Sequence, residues 1–106
     1  MNVPHQSHPR ADHELVEAAR WYEGEKAGLG DDFLDAANEA VEAILAWPLS
    51  APAFPGWCRE PVVRSKRIKR FPYRVLYFVS EDHVLTVVAY AHNRRKPGYW
   101  MPRLVN

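Results

Sequence analysis

The sequence has one cysteine, Cys58, in 106 residues. An intrachain disulfide is excluded, and so is a zinc cage built of thiolates. No apolar run approaches the roughly 20 residues a helix needs to cross a bilayer. The N-terminal stretch MNVPHQSHPRADHE lacks the apolar segment of a secretory signal. The five glycines form no phosphate-cradling loop, and no serine sits in a Gly-x-Ser-x-Gly elbow. Nucleotide hydrolysis and ester hydrolysis are therefore poor readings. His5, His8 and His13 have metal-like spacing, but no carboxylate geometry supports a site there, and no metal or other cofactor is expected. These absences fit a cytoplasmic protein of one domain spanning residues 1–106.

Basic residues are scarce in the first half. Residues 11–47 hold ten acids and two bases, a net of −8, whereas residues 48–106 hold eleven bases and three acids, a net of +8. The formal total of +1 hides this division. A basic half can hold phosphate or an acidic partner through charge alone. Alternatively, the acids are a solvated helix face that pairs locally with the basic strands. Four Trp, five Tyr and four Phe provide enough apolar surface for a core, which argues against disorder.

Residues 1–8 read as a frayed edge strand or a tail, with no apolar alternation. His8-Pro9 predicts a helix start, because Pro9 at the first helical position loses no hydrogen bond. Ala11, Leu15, Ala18, Ala19 and Tyr22 recur at helical spacing, and Gly28 predicts an end near Lys26. After Gly28-Leu29-Gly30, Asp31 and Asp32 suit the positive end of a second helix. Its stripe is Phe33, Ala37, Ala40, Ile44 and Trp47, and Pro48 ends it. The loop 48–61 carries four prolines, and Trp57 and Cys58 are expected to plug the core from it. Residues 62–69 are weakly β and basic. Tyr73 to Val79 alternates strongly, with Arg74, Leu76 and Phe78 opposite Tyr73, Val75, Tyr77 and Val79. Residues 80–83 form a hairpin turn, and Val84 to Ala91 is a central strand. The fold class is α+β: an N-terminal helical hairpin on one face of a three- to four-stranded antiparallel sheet. The other face is expected to be concave and polar.

Four pieces then carry a family resemblance: Ala18-Ala19-Arg20-Trp21-Tyr22, Gly28-Leu29-Gly30 with Phe33, Phe71-Pro72-Tyr73-Arg74-Val75, and the tail Ala91 to Trp100. In that order and spacing they resemble the RelE/ParE superfamily of toxins from bacterial type II toxin–antitoxin modules. The Gly-Leu-Gly and Pro-Gly-Tyr-Trp wording is similar to the ParE side. The resemblance implies neutralisation by a cognate antitoxin with an acidic amphipathic segment. It implies inhibition of DNA gyrase on the ParE side, or ribosome-dependent cleavage of mRNA on the RelE side. Family members open with a clear first strand, which Asn2 to His8 does not spell.

RNA cleavage by a neighbouring 2′-hydroxyl needs guanidinium groups preset around the phosphoryl oxygens, with an acid and a base beside them. Arg74 is the candidate phosphate clamp, with Arg94 or Arg95 as a second cation. Tyr99 matches a C-terminal tyrosine of RelE-like enzymes. Lys66, Arg67, Lys69, Arg70, His92, Lys96 and Trp100 are candidate nucleic-acid or partner contacts. The plainer alternatives are that Arg74 meets an acidic helix residue or an antitoxin carboxylate, that Tyr99 and Trp100 only pack the tail, and that Arg94, Arg95 and Lys96 are solvated. Cys58 reads as a core residue rather than a nucleophile.

Overall fold

The computed structural model describes residues 4–104. The chain forms a strand β1 (His5–Ser7), helices α1 (Pro9–Glu25) and α2 (Leu29–Ala46), strands β2 (Arg64–Arg67), β3 (Tyr73–Val79) and β4 (Leu85–His92), and a final 3-10 turn (Met101–Leu104). The sheet order is β1-β4-β3-β2. Residues 1–3 of the expected N-terminal strand or tail lie outside the described residues.

Local chemistry explains the helical hairpin. The His8 imidazole caps α1 by accepting from the Arg10 N–H at 3.1 Å, and Pro9 follows at the first helical position. The Glu23 carboxylate accepts from the backbone N–H groups of both Gly28 and Gly30, at 3.0 Å each, so it ties the end of α1 to the start of α2. Gly28 sits at φ 88, a conformation that disfavours a side chain. At Gly30 a Cβ would lie 2.6 Å from the Ala19 carbonyl oxygen, so glycine permits the close helix approach.

The sheet is mixed. β2, β3 and β4 pair antiparallel, as expected, but β1 joins β4 in parallel, with His5 opposite Leu85 and Ser7 opposite Val87. Between β1 and β4 the chain first runs through the helical hairpin, β2 and β3. The polar segment His5-Gln6-Ser7 is held through its backbone: Leu85 N–H donates to the Pro4 carbonyl and His8 N–H to that of Val87. β4 carries a bulge, since Tyr77 pairs with Val87 while Leu76 pairs with Ala89. Val88 is the extra residue, and Val88 and Ala89 consequently turn to the same side.

The helix-side core contains Phe33, Ala37, Ala40, Ile44, Val75, Tyr77, Val87 and Tyr90. Three expectations differ from the structure. Trp47 is 73% exposed, because it is the cap residue beyond the last turn of α2. Cys58 is exposed; only its neighbour Trp57 reaches the core, against Trp100 at 5.6 Å between ring centroids. The far face of the sheet is not an open polar concavity. Val63, Leu76, Val88, Ala89 and Trp100 form a second core there, covered by Phe54, Trp57 and the C-terminal tail.

Candidate functional site

Two basic concavities flank the C-terminal half. The first is a cleft of about 380 Å³ between α2 and the edge strand β2. Its floor is Ala36, Ala40 and Ala43, and its wall is Lys66, Arg67, Lys69 and Arg70. The alanines recur four and three residues apart, so they share one helix stripe, which continues to the exposed Trp47. Part of the wall is paired locally: Lys69 Nζ lies 3.2 Å from Glu39, and Arg70 lies 3.7 Å from Asp32. All four groups are largely exposed, so each pair is weak.

The second concavity is a notch of about 120 Å³ at the end of the sheet, lined among others by Arg74, His92, Arg95, Lys96, Tyr99 and Trp100. Arg74 Nε donates to the hydroxyl of Ser65 at 2.6 Å, which fixes the guanidinium through one nitrogen. The His92 Nδ1 accepts from the Arg94 N–H at 2.9 Å, which places the proton of a neutral ring on Nε2. Arg95 lies 3.9 Å above the Tyr99 ring.

Behind the notch lies a carboxylate hub. Glu14 receives a fork from Arg103, at 2.8 Å and 3.1 Å, the Tyr99 hydroxyl at 2.5 Å, and the Tyr90 backbone N–H at 3.1 Å. Arg103 also donates to the Val88 carbonyl at 2.9 Å. The side chains of Arg103 and Glu14 are only 10% and 12% exposed. β1 ends opposite Val87, so this ion pair satisfies the β4 edge where no strand continues. Burial first, and then the hydrogen bond and charge of Glu14, push the Tyr99 phenol far above its ordinary value, against the lowering pull of Arg103 and Arg95. Burial pulls the Arg103 guanidinium down, but the hydrogen bond and charge of Glu14 outweigh that and leave it raised.

The structure thus brings Arg74, Arg95 and Tyr99 into one concavity with His92, Lys96 and Trp100. Lys66, Arg67, Lys69 and Arg70 gather in the other. Arg94 is exposed and lines neither. Trp100 is 1% exposed, so it acts as a core residue beneath the notch. Sequence reasoning missed Glu14, Ser65 and Arg103. Glu14 stands three residues from Ala11 and four from Ala18, both buried, and that spacing marked it as inward-facing. Among the described residues, no group of three or more His, Cys, Asp or Glu side chains can hold a metal ion, and no helix is long and apolar enough to cross a membrane.

Fold and site together define a small α+β protein that presents charged concavities on the strands and tail behind a helical hairpin. Residues 6–97 match the family model described as ParE toxin of type II toxin-antitoxin system, parDE, and the chain belongs to that family. It is accordingly a toxin of the type II toxin–antitoxin class, and the family implies an antitoxin partner. No curated protein matches the chain.

Proposed function

We propose that this toxin arrests bacterial growth from the cytoplasm by binding and inhibiting an essential enzyme such as DNA gyrase. A cognate antitoxin neutralises it by laying an acidic amphipathic segment into the cleft between α2 and β2. The observation that carries the partner half of this reading is the cleft itself: an alanine floor faced by Lys66, Arg67, Lys69 and Arg70. Such a groove accepts a segment with one apolar and one acidic side. Trp47, on the same stripe, offers an exposed apolar anchor at its end.

The ribonuclease alternative needs a group free to move a proton near Arg74. Tyr99, which matches the tyrosine of RelE-like enzymes, gives its hydroxyl proton to a hydrogen bond with Glu14 and is held neutral. Inhibition by surface binding makes no such demand.

Induced expression tests the reading. Growth should stop, plasmid supercoiling should fall, and transcripts should stay intact. Co-expression of an antitoxin from the adjacent reading frame should restore growth, and Lys66→Glu with Arg67→Glu should weaken that rescue. Normal growth of the induced clone would overturn the toxin activity, and cleaved transcripts with normal supercoiling would transfer it to the ribonuclease class.

A further inference from the structure

We infer that the slot between α1 and the end of the sheet docks a proline-containing extended segment of a partner protein. The slot borders the notch, with which it shares His92 and Arg95, but its main walls are different. The inference does not depend on the toxin's target or on what fills the α2–β2 cleft.

The slot measures about 340 Å³. Glu14, Glu17, Ala18 and Trp21 lie on one face of α1 and form one wall, because residues three, four and seven apart share a helix face. Tyr73 of β3 and Tyr90 of β4 form the other. Trp21 is 62% exposed, and Tyr22 braces its ring edge to face at 5.1 Å without covering it. It belongs to the Ala18–Tyr22 stretch, yet neither core nor the α2–β2 cleft uses it. One exposed ring is ordinary on a protein surface. The groups around this one are not.

They are hydrogen-bond donors in surplus. The polar tips of Trp57, Tyr77 and Tyr99 each have an internal acceptor. Those of Trp21, Tyr73 and Tyr90 have none among the described residues. Tyr90 is 7% exposed, and among the described residues no sealed side-chain polar atom lacks a partner, so its hydroxyl reaches solvent. His92 adds the Nε2 proton of its neutral ring, since Nδ1 is taken by the Arg94 N–H. The acceptors beside these donors are largely occupied. Glu14 is filled by its bonds from Arg103, Tyr99 and the Tyr90 N–H. Glu17 lies 3.7 Å from Arg20 and 4.0 Å from His13, both exposed and weakly held.

Charge does not select the ligand. Arg103 neutralises Glu14. Glu17 and Arg95 contribute one charge of each sign, and neutral His92 contributes none. The lining therefore favours neither a cationic side chain nor an anion, and recognition falls to rings and donors.

A proline-containing segment matches that lining. Proline brings a carbonyl and no N–H. A polyproline II stretch makes no internal hydrogen bonds, so its carbonyls can accept from Trp21, Tyr73 and Tyr90. Its rings pack on aromatic faces, and its extended form is set before binding. An ordinary extended peptide brings an N–H for nearly every carbonyl, and of the two carboxylates here only Glu17 has room to accept one.

The test is an NMR titration of the nitrogen-15-labelled full chain with deca-L-proline, deca-L-lysine and deca-L-glutamate at moderate salt. The four tryptophans give four indole N–H signals, and Trp21→Phe and Trp47→Phe identify two of them. Deca-proline should move the Trp21 signal and leave that of Trp47, which is 73% exposed but outside the slot. Followed at the amides of Tyr90 and His92, Trp21→Ala should weaken binding by roughly ten-fold or more. Tyr73→Phe keeps the ring, loses the hydroxyl and should weaken binding about three- to ten-fold, the value of one hydrogen bond. Trp47→Ala should bind like the parent, and added salt should change little. Thermal melts separate lost binding from lost folding. A Trp21 signal that deca-proline does not move, or parent-like binding by both Trp21→Ala and Tyr73→Phe, overturns the proposal. So does a stronger response of the Trp21 signal to deca-lysine or deca-glutamate, which would reassign the slot to a charged partner.

Discussion

The two faces of the sheet are covered by different physics. On the helix side, α1 and α2 lay regular apolar stripes over Val75, Tyr77, Val87 and Tyr90, and the rings of Tyr22 and Phe33 pack within 4.9 to 6.3 Å of each other and of those of Phe71 and Tyr73. The far face has no regular element of comparable size. A proline-rich loop and a short 3-10 turn cover it, and one large side chain, Trp100, fills it between Phe54 and Trp57. Among the described residues the loop pairs with the sheet only through a single bridge, Ala53 opposite Arg64, so polar anchors supplement it. Trp57 Nε1 donates to the Pro61 carbonyl at 2.7 Å, and the Glu14–Arg103 pair spans from α1 to the tail. The helix side is thus held by distributed burial, and the tail side by a few contacts of high value.

The sharpest way to break this comparison is to remove the ring at the centre of the weaker face. Trp100→Ala is expected to cost about 3–5 kcal/mol, the usual range for deleting a buried large aromatic. Urea denaturation measures the loss. Hydrogen exchange should show the tail and the strand residues Leu76, Val88 and Ala89 losing protection before the helices do. Uniform loss across both faces would mean that the two cores are one cooperative unit. Breaking the anchor is next in size. Glu14→Gln leaves the Arg103 guanidinium, the Tyr99 hydroxyl and the Tyr90 N–H without their charged acceptor, and about 3 kcal/mol should be lost. Arg103→Met alone should also destabilise, and the double variant should lose clearly less than the sum of the two. Additive losses would show that the pair is not the anchor.

The same contrast explains what could be read in advance. Phe33, Ala37, Ala40 and Ile44 announce themselves by helical spacing, and Tyr73 to Val79 by alternation, because each element's buried side repeats along its own chain. Trp100 and Arg103 have no such period, and the helical spacing of Glu14 marks its inward face but not its partner. Glu14 and Arg103 are 89 residues apart, and nothing local marks them as partners. β1 was obscure for a related reason: a three-residue strand held by backbone bonds needs no apolar alternation. The resemblance grouped Arg74 with Arg94 or Arg95 and Tyr99; the structure puts Arg95 and Tyr99 beside Arg74 and leaves Arg94 outside the notch. The burial of Trp100 beneath them was foreseen only as one alternative, and the tie of Tyr99 to Glu14 depended on tertiary placement alone.

The smallest expected effect probes the strand that both faces share. Tyr90 gives its N–H to the Glu14 anchor while its ring lies in the helix-side core. Burial, helped by the charge of Asp12, raises its phenol from 10.0 to about 12. Between those values the unfolded chain has released the phenolic proton and the native chain still holds it. Stability from this group is therefore complete below pH 10 and drains away as pH rises toward about 12. Tyr90→Phe removes that drain, so the parent should lose about 1–2 kcal/mol relative to the variant across the window. Urea midpoints of both chains on either side of pH 10 measure it. The remaining alkaline loss in Tyr90→Phe then belongs to other raised phenols, including Tyr99. If that residue dominates, hydrogen exchange at high pH should open the tail first, because ionised Tyr99 repels the Glu14 carboxylate that holds the tail to α1.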